Sequence, residues 1–213
     1  MPTLNGSHSA YWRIVMAEYL PPEIDTCLYL DVDILALCDI REIFSLKCDS
    51  TLACVPDFGR YANRILKPIK NAPAITFSKN YFNSGFLRIH LKQWRAQNIQ
   101  EQCLKILENY HLKFHDQDIL NAVFAQNYHK LSFCYDFIAQ AFGASVCKDE
   151  SKHHYNIHHT RDEFNRIREN IKILHFCSEK PWNTLASYIY EGQSSQHFGG
   201  NLRKKRPFLI KSY

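Results

Sequence analysis

Two aspartates separated by a single residue follow a short apolar run near the start of the chain. The run is Cys27 to Leu30, and Asp31-Val32-Asp33 comes directly after it. Side chains two residues apart in an extended chain point to the same side, so both carboxylates can address one ligand. Two carboxylates at the end of an apolar strand are costly to ionise without a cation, which favours a divalent metal. The alternative is a pair of exposed aspartates that cap the next turn.

A histidine at the end of another apolar run offers a third ligand. His175 lies in the run Ile171 to Phe176, and ligands of α/β sheets gather at the carboxyl ends of strands. Two carboxylates and one imidazole with open positions suit manganese or magnesium bound to substrate phosphates, whereas a structural zinc site would need Cys or more His. Taken alone, His175 is also consistent with an ordinary hydrogen-bonded histidine.

A third polar cluster, His115-Asp116-Gln117-Asp118, stands at the start of a segment that then becomes apolar. Helix capping and the helix dipole account for the acids, but they do not account for Gln117. Together with Phe82-Asn83-Ser84-Gly85, the cluster supplies amide and carboxylate groups that suit sugar hydroxyls.

Apolar patterning predicts the elements that position these residues. Helices are expected from Ser9 to Tyr19, from Lys92 to Tyr110 and from Asp116 to Gln126, with Asp116 as the cap of the third. Strands are expected at 27–30, 34–37, 52–55, 82–89 and 171–176, and residues 67–79 are expected to form a loop. Alternating strands and helices indicate an α/β fold with a mixed sheet covered on both faces.

Composition bounds the class of protein. The 213 residues are 46% hydrophobic and 22% charged, which predicts one folded domain with its own core. A formal net charge of +5 does not indicate a nucleic-acid partner. Eight scattered cysteines without a CxxC pair favour buried thiols in a reducing compartment. The sequence shows no signal peptide or membrane span, so we expect a cytoplasmic protein.

Two further segments have a distinctive composition. The tail from residue 184 to 213 ends in a basic and apolar stretch, Arg203 to Lys211, which suits either a solvated terminus or peripheral contact with an anionic membrane. The stretch His153 to His159 could bind a metal from one helical face, but a solvated loop is favoured. We therefore divide the chain into a catalytic domain, 1–183, and this tail.

Four blocks in fixed order then resemble the family 8 glycosyltransferases, especially bacterial lipopolysaccharide galactosyl- and glucosyltransferases that use UDP-sugars. The blocks are Tyr11-Trp12-Arg13 before YLDVDIL, then YFNSGFLRIHLKQWR, HDQDILNAVF and ILHFCSEKPW, across roughly residues 9 to 183. The resemblance implies a GT-A-like α/β fold, a UDP-sugar donor, and a saccharide acceptor in the lipopolysaccharide core.

The resemblance also implies roles for individual residues. Asp31 and Asp33 match the metal-binding DxD motif and His175 the third ligand, which together hold Mn²⁺ or Mg²⁺ against the UDP diphosphate. Asp116 matches the residue that binds donor-sugar hydroxyls, and Gln117 the one beside the anomeric carbon, so these two are the expected catalytic residues. The implied substrate-binding residues are Arg13, Asp57, Asn83, Asp116, Gln117 and Lys180.

The implied reaction retains the anomeric configuration. A double displacement needs an enzyme nucleophile, and the neutral amide of Gln117 is a poor one. This favours a front-face route that requires positioning and charge stabilisation.

The chain departs from the family pattern in two places. Ser178 stands at a glycine position and one residue is missing before Lys180. Only 30 residues precede Asp31, so we expect the uracil-holding segment to be absent. A weakly active remnant and a metal-dependent phosphoester hydrolase are the alternative functions.

Overall fold

The computed structural model describes residues 8–57, 63–77, 79–124, 127–139 and 158–177. Lys180, Ser178, His153 and the tail from residue 184 lie outside the described residues, so the predictions about them stay predictions. The chain forms two compact units. Unit 1 comprises residues 1–31, 39–132 and 156–158, and unit 2 comprises residues 32–38, 133–155 and 159–213.

The described elements comprise a first helix, a run of strands, three successive helices, and a mixture of short strands and one helix after them. The strands are Thr26–Leu30 (β1), Ile34–Ala36 (β2), Leu52–Pro56 (β3), Ile65–Leu66 (β4), Ile75–Thr76 (β5), Phe82–His90 (β6), His129–Lys130 (β7), Phe137–Ile138 (β8) and Ile173–His175 (β9). The helices are Trp12–Tyr19 (α1), Leu91–Ala96 (α2), Ile99–Asn109 (α3), His115–Phe124 (α4) and Arg161–Glu169 (α5). Short 3₁₀ turns are Ser9–Tyr11, Ile40–Ile43 and Phe133–Tyr135.

Unit 1 is built on a four-stranded mixed sheet in the order β1-β6-β3-β7. β6 pairs antiparallel with both β1 and β3, while β7 runs parallel to β3. One face of the sheet, which includes Leu52, Leu87 and Ile89, packs with Trp94 of α2 and Ile119 of α4 in a single apolar core. The predicted α/β architecture with a mixed sheet and flanking helices is confirmed.

The single helix predicted from Lys92 to Tyr110 is wrong, because the chain breaks it in two. Asn98 separates α2 from α3 and has a left-handed backbone, with φ 51° and ψ 41°. Asparagine tolerates this conformation better than most residues because its short polar side chain can bond locally. The break lets α3 turn Ile99 and Cys103 into the core. The loop predicted at 67–79 is also partly wrong, since β5 lies within it and pairs with β4.

Unit 2 contains a three-stranded sheet in the order β2-β9-β8. β9 pairs antiparallel with β2 and parallel with β8. α5 was not predicted, although its capping box is readable in the sequence: the Thr160 side chain accepts from the Glu163 backbone, and Glu163 accepts in return from the Thr160 backbone. Phe164 of α5 is buried beside Phe137.

The histidine-rich stretch ends at residues that are not fully solvated. His159 is half-buried and its ring lies 6.0 Å from that of Phe133, measured between centroids. The solvated-loop prediction is therefore wrong at this residue, whereas His153 lies outside the described residues. The prediction of buried thiols is correct for Cys54 and Cys103 and wrong for Cys177, which is exposed. No helix in the described part of the chain is long and apolar enough to cross a membrane.

Candidate active site

Arg13 is the centre of a charged cluster in unit 1. It lies on the buried face of α1, and its side chain is only 7% exposed. Nη2 donates to Asp31 Oδ1 at 2.8 Å, and Nη1 donates to the Ser84 carbonyl at 2.5 Å. Nε lies 3.2 Å from Asp116 Oδ2. One guanidinium therefore contacts two of the acids that the sequence singles out.

Asp31 has a second donor that the sequence analysis missed. The Tyr29 hydroxyl donates to Asp31 Oδ1 at 2.8 Å, and the Arg13 guanidinium carbon lies 4.2 Å from the centroid of the Tyr29 ring. Burial is the main cause that raises the pKa of Tyr29 above its usual range, and the Asp31 carboxylate adds to it. The phenol therefore keeps its proton and acts as a donor. The spacing of Tyr29 and Asp31, two residues apart on one strand, is the signal that could have revealed the pair.

Asp116 does not cap α4, which corrects the sequence prediction. It lies within the first turn of α4, is buried, and accepts from the Ser84 hydroxyl at 2.9 Å. Burial raises the pKa of its carboxyl, against the opposing effects of Arg13 and Ser84. Asp118, also in the first turn, bonds the chain that precedes the helix: its Oδ2 accepts from the backbone N–H of Lys113 at 2.8 Å and of Phe114 at 2.9 Å.

Asp118 also fixes the turn that leads into α4. It is fully buried, forms an ion pair with Arg64, and accepts from the Tyr81 hydroxyl at 2.7 Å. His115, which follows the turn, has a positive φ of 40°, a conformation that is uncommon outside glycine. The buried carboxylate thus holds the backbone in the shape that directs Asp116 towards β6.

Side chains of α4 satisfy the backbone of β6 where β3 stops pairing with it in regular register. The register shift lies between Cys54 and Pro56. The Ser84 N–H donates to Gln117 Oε1 at 3.1 Å, and the Phe82 N–H donates to Asn121 Oδ1 at 2.8 Å. Gln117 and Asp116 are therefore both anchored to Ser84, although neither Ser84 nor Asn121 was predicted as a site residue.

The other two predicted substrate-binding residues in the described chain lie at the ends of strands in unit 1. The Asn83 side chain accepts from the Gly85 N–H at 2.7 Å, within β6 itself. Asp57 follows β3 directly, is buried, and its N–H donates to the Tyr81 carbonyl at 2.8 Å. The structure therefore joins Arg13, Asp116 and Gln117 through Ser84, and Arg13 in turn contacts Asp31.

In unit 2, His175 lies between two carboxylates. Its Nδ1 is 2.8 Å from Asp136 Oδ1, and its Nε2 is 3.4 Å from Asp33 Oδ1. Burial works against protonation of the imidazole, but Asp136 and Asp33 outweigh it and raise the pKa of His175 to about 10. Asp136 was missed because it lies 39 residues from His175 in a segment with no motif.

The arrangement of Asp33, Asp136 and His175 fits a hard divalent cation. A histidine that binds a metal commonly bonds a carboxylate through its other ring nitrogen, which fixes the ring orientation. Asp136 occupies that position at Nδ1 and directs Nε2 towards Asp33. Asp33 belongs to unit 2 and follows Asp31, the last residue of its segment of unit 1, by two positions.

The sequence profile of Glycosyl transferase family 8 matches residues 3–186. The chain belongs to this family. It is 32% identical over 192 residues to General stress protein A of Bacillus subtilis, covering 87% of this chain and 63% of that protein. It is 28% identical over 186 residues to a lipopolysaccharide 1,2-glucosyltransferase of Escherichia coli, covering 84% and 51%. The chain thus spans between half and two thirds of the length of these relatives.

Solved structures agree on the fold of this family 8 chain. The bifunctional glycosyltransferase WbbM superposes with a TM-score of 0.67 at 18% identity, over 94% of this chain and 36% of that one. The galactosyltransferase LgtC, in complex with donor and acceptor sugar analogues, superposes with a TM-score of 0.64 at 20% identity, over 100% of this chain and 71% of that one. The fold is therefore of the GT-A type.

Proposed function

We propose that this chain transfers a hexose, galactose or glucose, from a UDP-sugar to a saccharide acceptor of the lipopolysaccharide core. The observation that carries the proposal is the Arg13 cluster, which joins Asp31 of the DxD motif to Asp116 of α4. Asp31 is the acid proposed to hold a metal against a diphosphate and Asp116 the acid proposed to bind sugar hydroxyls, so their contact with one guanidinium suits a substrate that contains both groups. The names of the lipopolysaccharide glucosyl- and galactosyltransferases among its relatives support this acceptor class.

Asp31, Asp33 and His175 are the proposed ligands of Mn²⁺, with Mg²⁺ as the second candidate. The bound metal would supply Lewis-acid stabilisation to the departing diphosphate. Asp136 holds the His175 ring through Nδ1, so that Nε2 would be the ligand atom once the cation displaces its proton. Two carboxylate oxygens and one imidazole nitrogen leave open positions for substrate oxygens, as manganese and magnesium sites require.

The proposed mechanism retains configuration by a front-face route. Asp116 is held by Ser84 and Arg13 and accepts hydrogen bonds from donor-sugar hydroxyls. Gln117 is anchored through Oε1 to the Ser84 N–H, which leaves its NH₂ group as the end presented to the substrate. A neutral amide in this position aligns the reactants and is unsuited to attack the anomeric carbon. Lys180, outside the described residues, stays a predicted phosphate contact.

The direct test replaces one proposed ligand without changing its size. Asp31→Asn or Asp33→Asn is expected to abolish hexose transfer from a UDP-sugar while the protein stays folded, because the amide removes the charge that the metal needs. Transfer is measured with radiolabelled donor, and folding by circular dichroism. Asp39→Asn is the control, since Asp39 is an exposed acid paired with Arg41.

Three results would contradict the proposal. Full activity of Asp31→Asn would contradict the assignment of Asp31 as a metal ligand. UDP-sugar breakdown that does not depend on acceptor would favour the phosphoester hydrolase. Failure of the wild-type chain to bind UDP with Mn²⁺ in calorimetry would favour the inactive remnant.

A further inference from the structure

Tyr29 and Arg13 both donate to the same oxygen of Asp31. The Tyr29 hydroxyl and Arg13 Nη2 each lie 2.8 Å from Oδ1. The backbone of Asp31 is fixed separately, because its N–H donates to the Gly85 carbonyl at 2.8 Å. With the backbone fixed, the two donors determine the orientation of the carboxylate.

Saturation of Oδ1 determines which atom a cation would use. A carboxylate oxygen offers two lone pairs, and Oδ1 already accepts two hydrogen bonds. A cation held by Asp31 would therefore use Oδ2. The two donors differ in charge: Arg13 carries a positive charge that repels a cation, whereas the phenol of Tyr29 is neutral. Tyr29 can thus orient Asp31 at no electrostatic cost to metal binding.

We propose that Tyr29 is a positioning residue for the metal ligand Asp31, and that its hydroxyl sets the affinity of the chain for a divalent cation. The inference rests on the proposed function, because it assumes that Asp31 binds the metal. Tyr29 touches neither substrate nor metal in this proposal and acts only through Asp31. Partners that orient a ligand in this way are typically worth about 10- to 100-fold in metal affinity.

The test titrates the full chain with Mn²⁺ alone and follows free Mn²⁺ by electron paramagnetic resonance. Tyr29→Phe removes the hydroxyl and keeps the ring beneath Arg13, so Mn²⁺ affinity is expected to fall about tenfold or more. Tyr128→Phe is the matched control, because it loses one buried hydroxyl that donates to the Asn80 carbonyl at 2.6 Å. Tyr128→Phe is expected to bind Mn²⁺ like the wild type.

The outcomes separate this inference from the proposed function. If Tyr29→Phe binds Mn²⁺ as tightly as the wild type while Asp31→Asn does not bind it, the role of Tyr29 is disproved and the metal site stands. If Asp31→Asn and the wild type bind Mn²⁺ with equal affinity, both the role of Tyr29 and the proposed metal ligand Asp31 are contradicted. Should Tyr29→Phe not fold, Tyr29→Met removes the same hydroxyl with an adaptable side chain and must show the same loss.

Discussion

Arg13 contacts acids that lie 18 and 103 residues away along the chain, at Asp31 and Asp116. The types and spacing of the acids identified them as candidates, but they did not identify what holds them. Ser84, Asp118 and Asp136 were missed as partners because a hydrogen-bond partner is chosen by the tertiary fold and leaves no local pattern. Tyr29 is the exception, since it lies two residues from Asp31 on the same strand.

At the residue scale we expect Asp136→Asn to weaken metal binding. The substitution removes the charge at His175 Nδ1, so the imidazole is oriented less firmly and Mn²⁺ affinity should fall about tenfold. Isothermal titration of the full chain with Mn²⁺ measures the change. The control is Asp162→Asn, which alters an acid on the first turn of α5 in the same unit. Equal Mn²⁺ affinity of Asp136→Asn and the wild type would contradict this role.

The elements were predicted best where the apolar pattern is clear over the whole segment and worst where a single residue redirects the chain. α1, β1, β3 and β6 agree with the predicted segments to within one to three residues at most ends. The break between α2 and α3 was missed because apolar periodicity continues across it, and Asn98 alone signals the turn. Asp116 was misread as a cap because α4 begins one residue earlier, at His115.

The break between α2 and α3 leads to a prediction about Asn98. With φ at 51°, Asn98→Ala puts a residue that tolerates the left-handed region less well than asparagine at this position, and it should lower the free energy of unfolding by about 1–2 kcal/mol. Asn98→Gly, which has no such penalty, should be close to the wild type. Urea denaturation of both variants measures the difference. Equal stability of the alanine and glycine variants would show that backbone conformation at Asn98 does not matter.

β6 also carries a buried arginine on which a second prediction rests. Arg88 is 8% exposed, and its Nε and Nη1 find no hydrogen-bond partner among the described residues. Buried donors without partners each cost about 1–3 kcal/mol, so Arg88→Met should raise the free energy of unfolding by about 1 kcal/mol or more.

Arg95→Met is the matched control for that substitution. Arg95 of α2 donates to the carbonyls of Ala17, in the last turn of α1, and of Leu20, just beyond it, at 3.0 Å each. Replacement of Arg95 should therefore lower the free energy of unfolding. Thermal denaturation measures the stability of both variants. A loss of stability in both variants would contradict the prediction for Arg88.

At the scale of the whole molecule, the chain forms two compact units of interleaved segments. No linker marks the division, because each unit is assembled from three separate stretches of chain. Asp31 and Asp33 fall on opposite sides of a unit boundary in the sequence. The DxD motif alone could not predict this division, because its two aspartates are only two positions apart. The α/β class was predictable because it depends only on the alternation of strand and helix patterns.

Thiol labelling tests whether the core of unit 1 opens to solvent in the folded protein. Cys103 is fully buried, and burial raises the pKa of its thiol to about 12, whereas Cys177 is exposed. At pH 8 the thiolate of Cys103 is therefore scarce as well as inaccessible. Mass spectrometry after iodoacetamide treatment should show Cys177 modified first and Cys103 modified only under unfolding conditions. Comparable rates for the two thiols would show that the core opens readily.

The side chains that hold the backbone of β6 give the proposed donor site a natural reporter. Amide protons in a regular sheet exchange with deuterium when strands separate, but those of Phe82 and Ser84 are held by Asn121 and Gln117. Their exchange rates therefore depend on two side chains of α4. A substrate that draws Gln117 away from β6 would speed deuterium uptake at Ser84 while leaving Phe82 protected, so occupancy of the site could be followed at one backbone position.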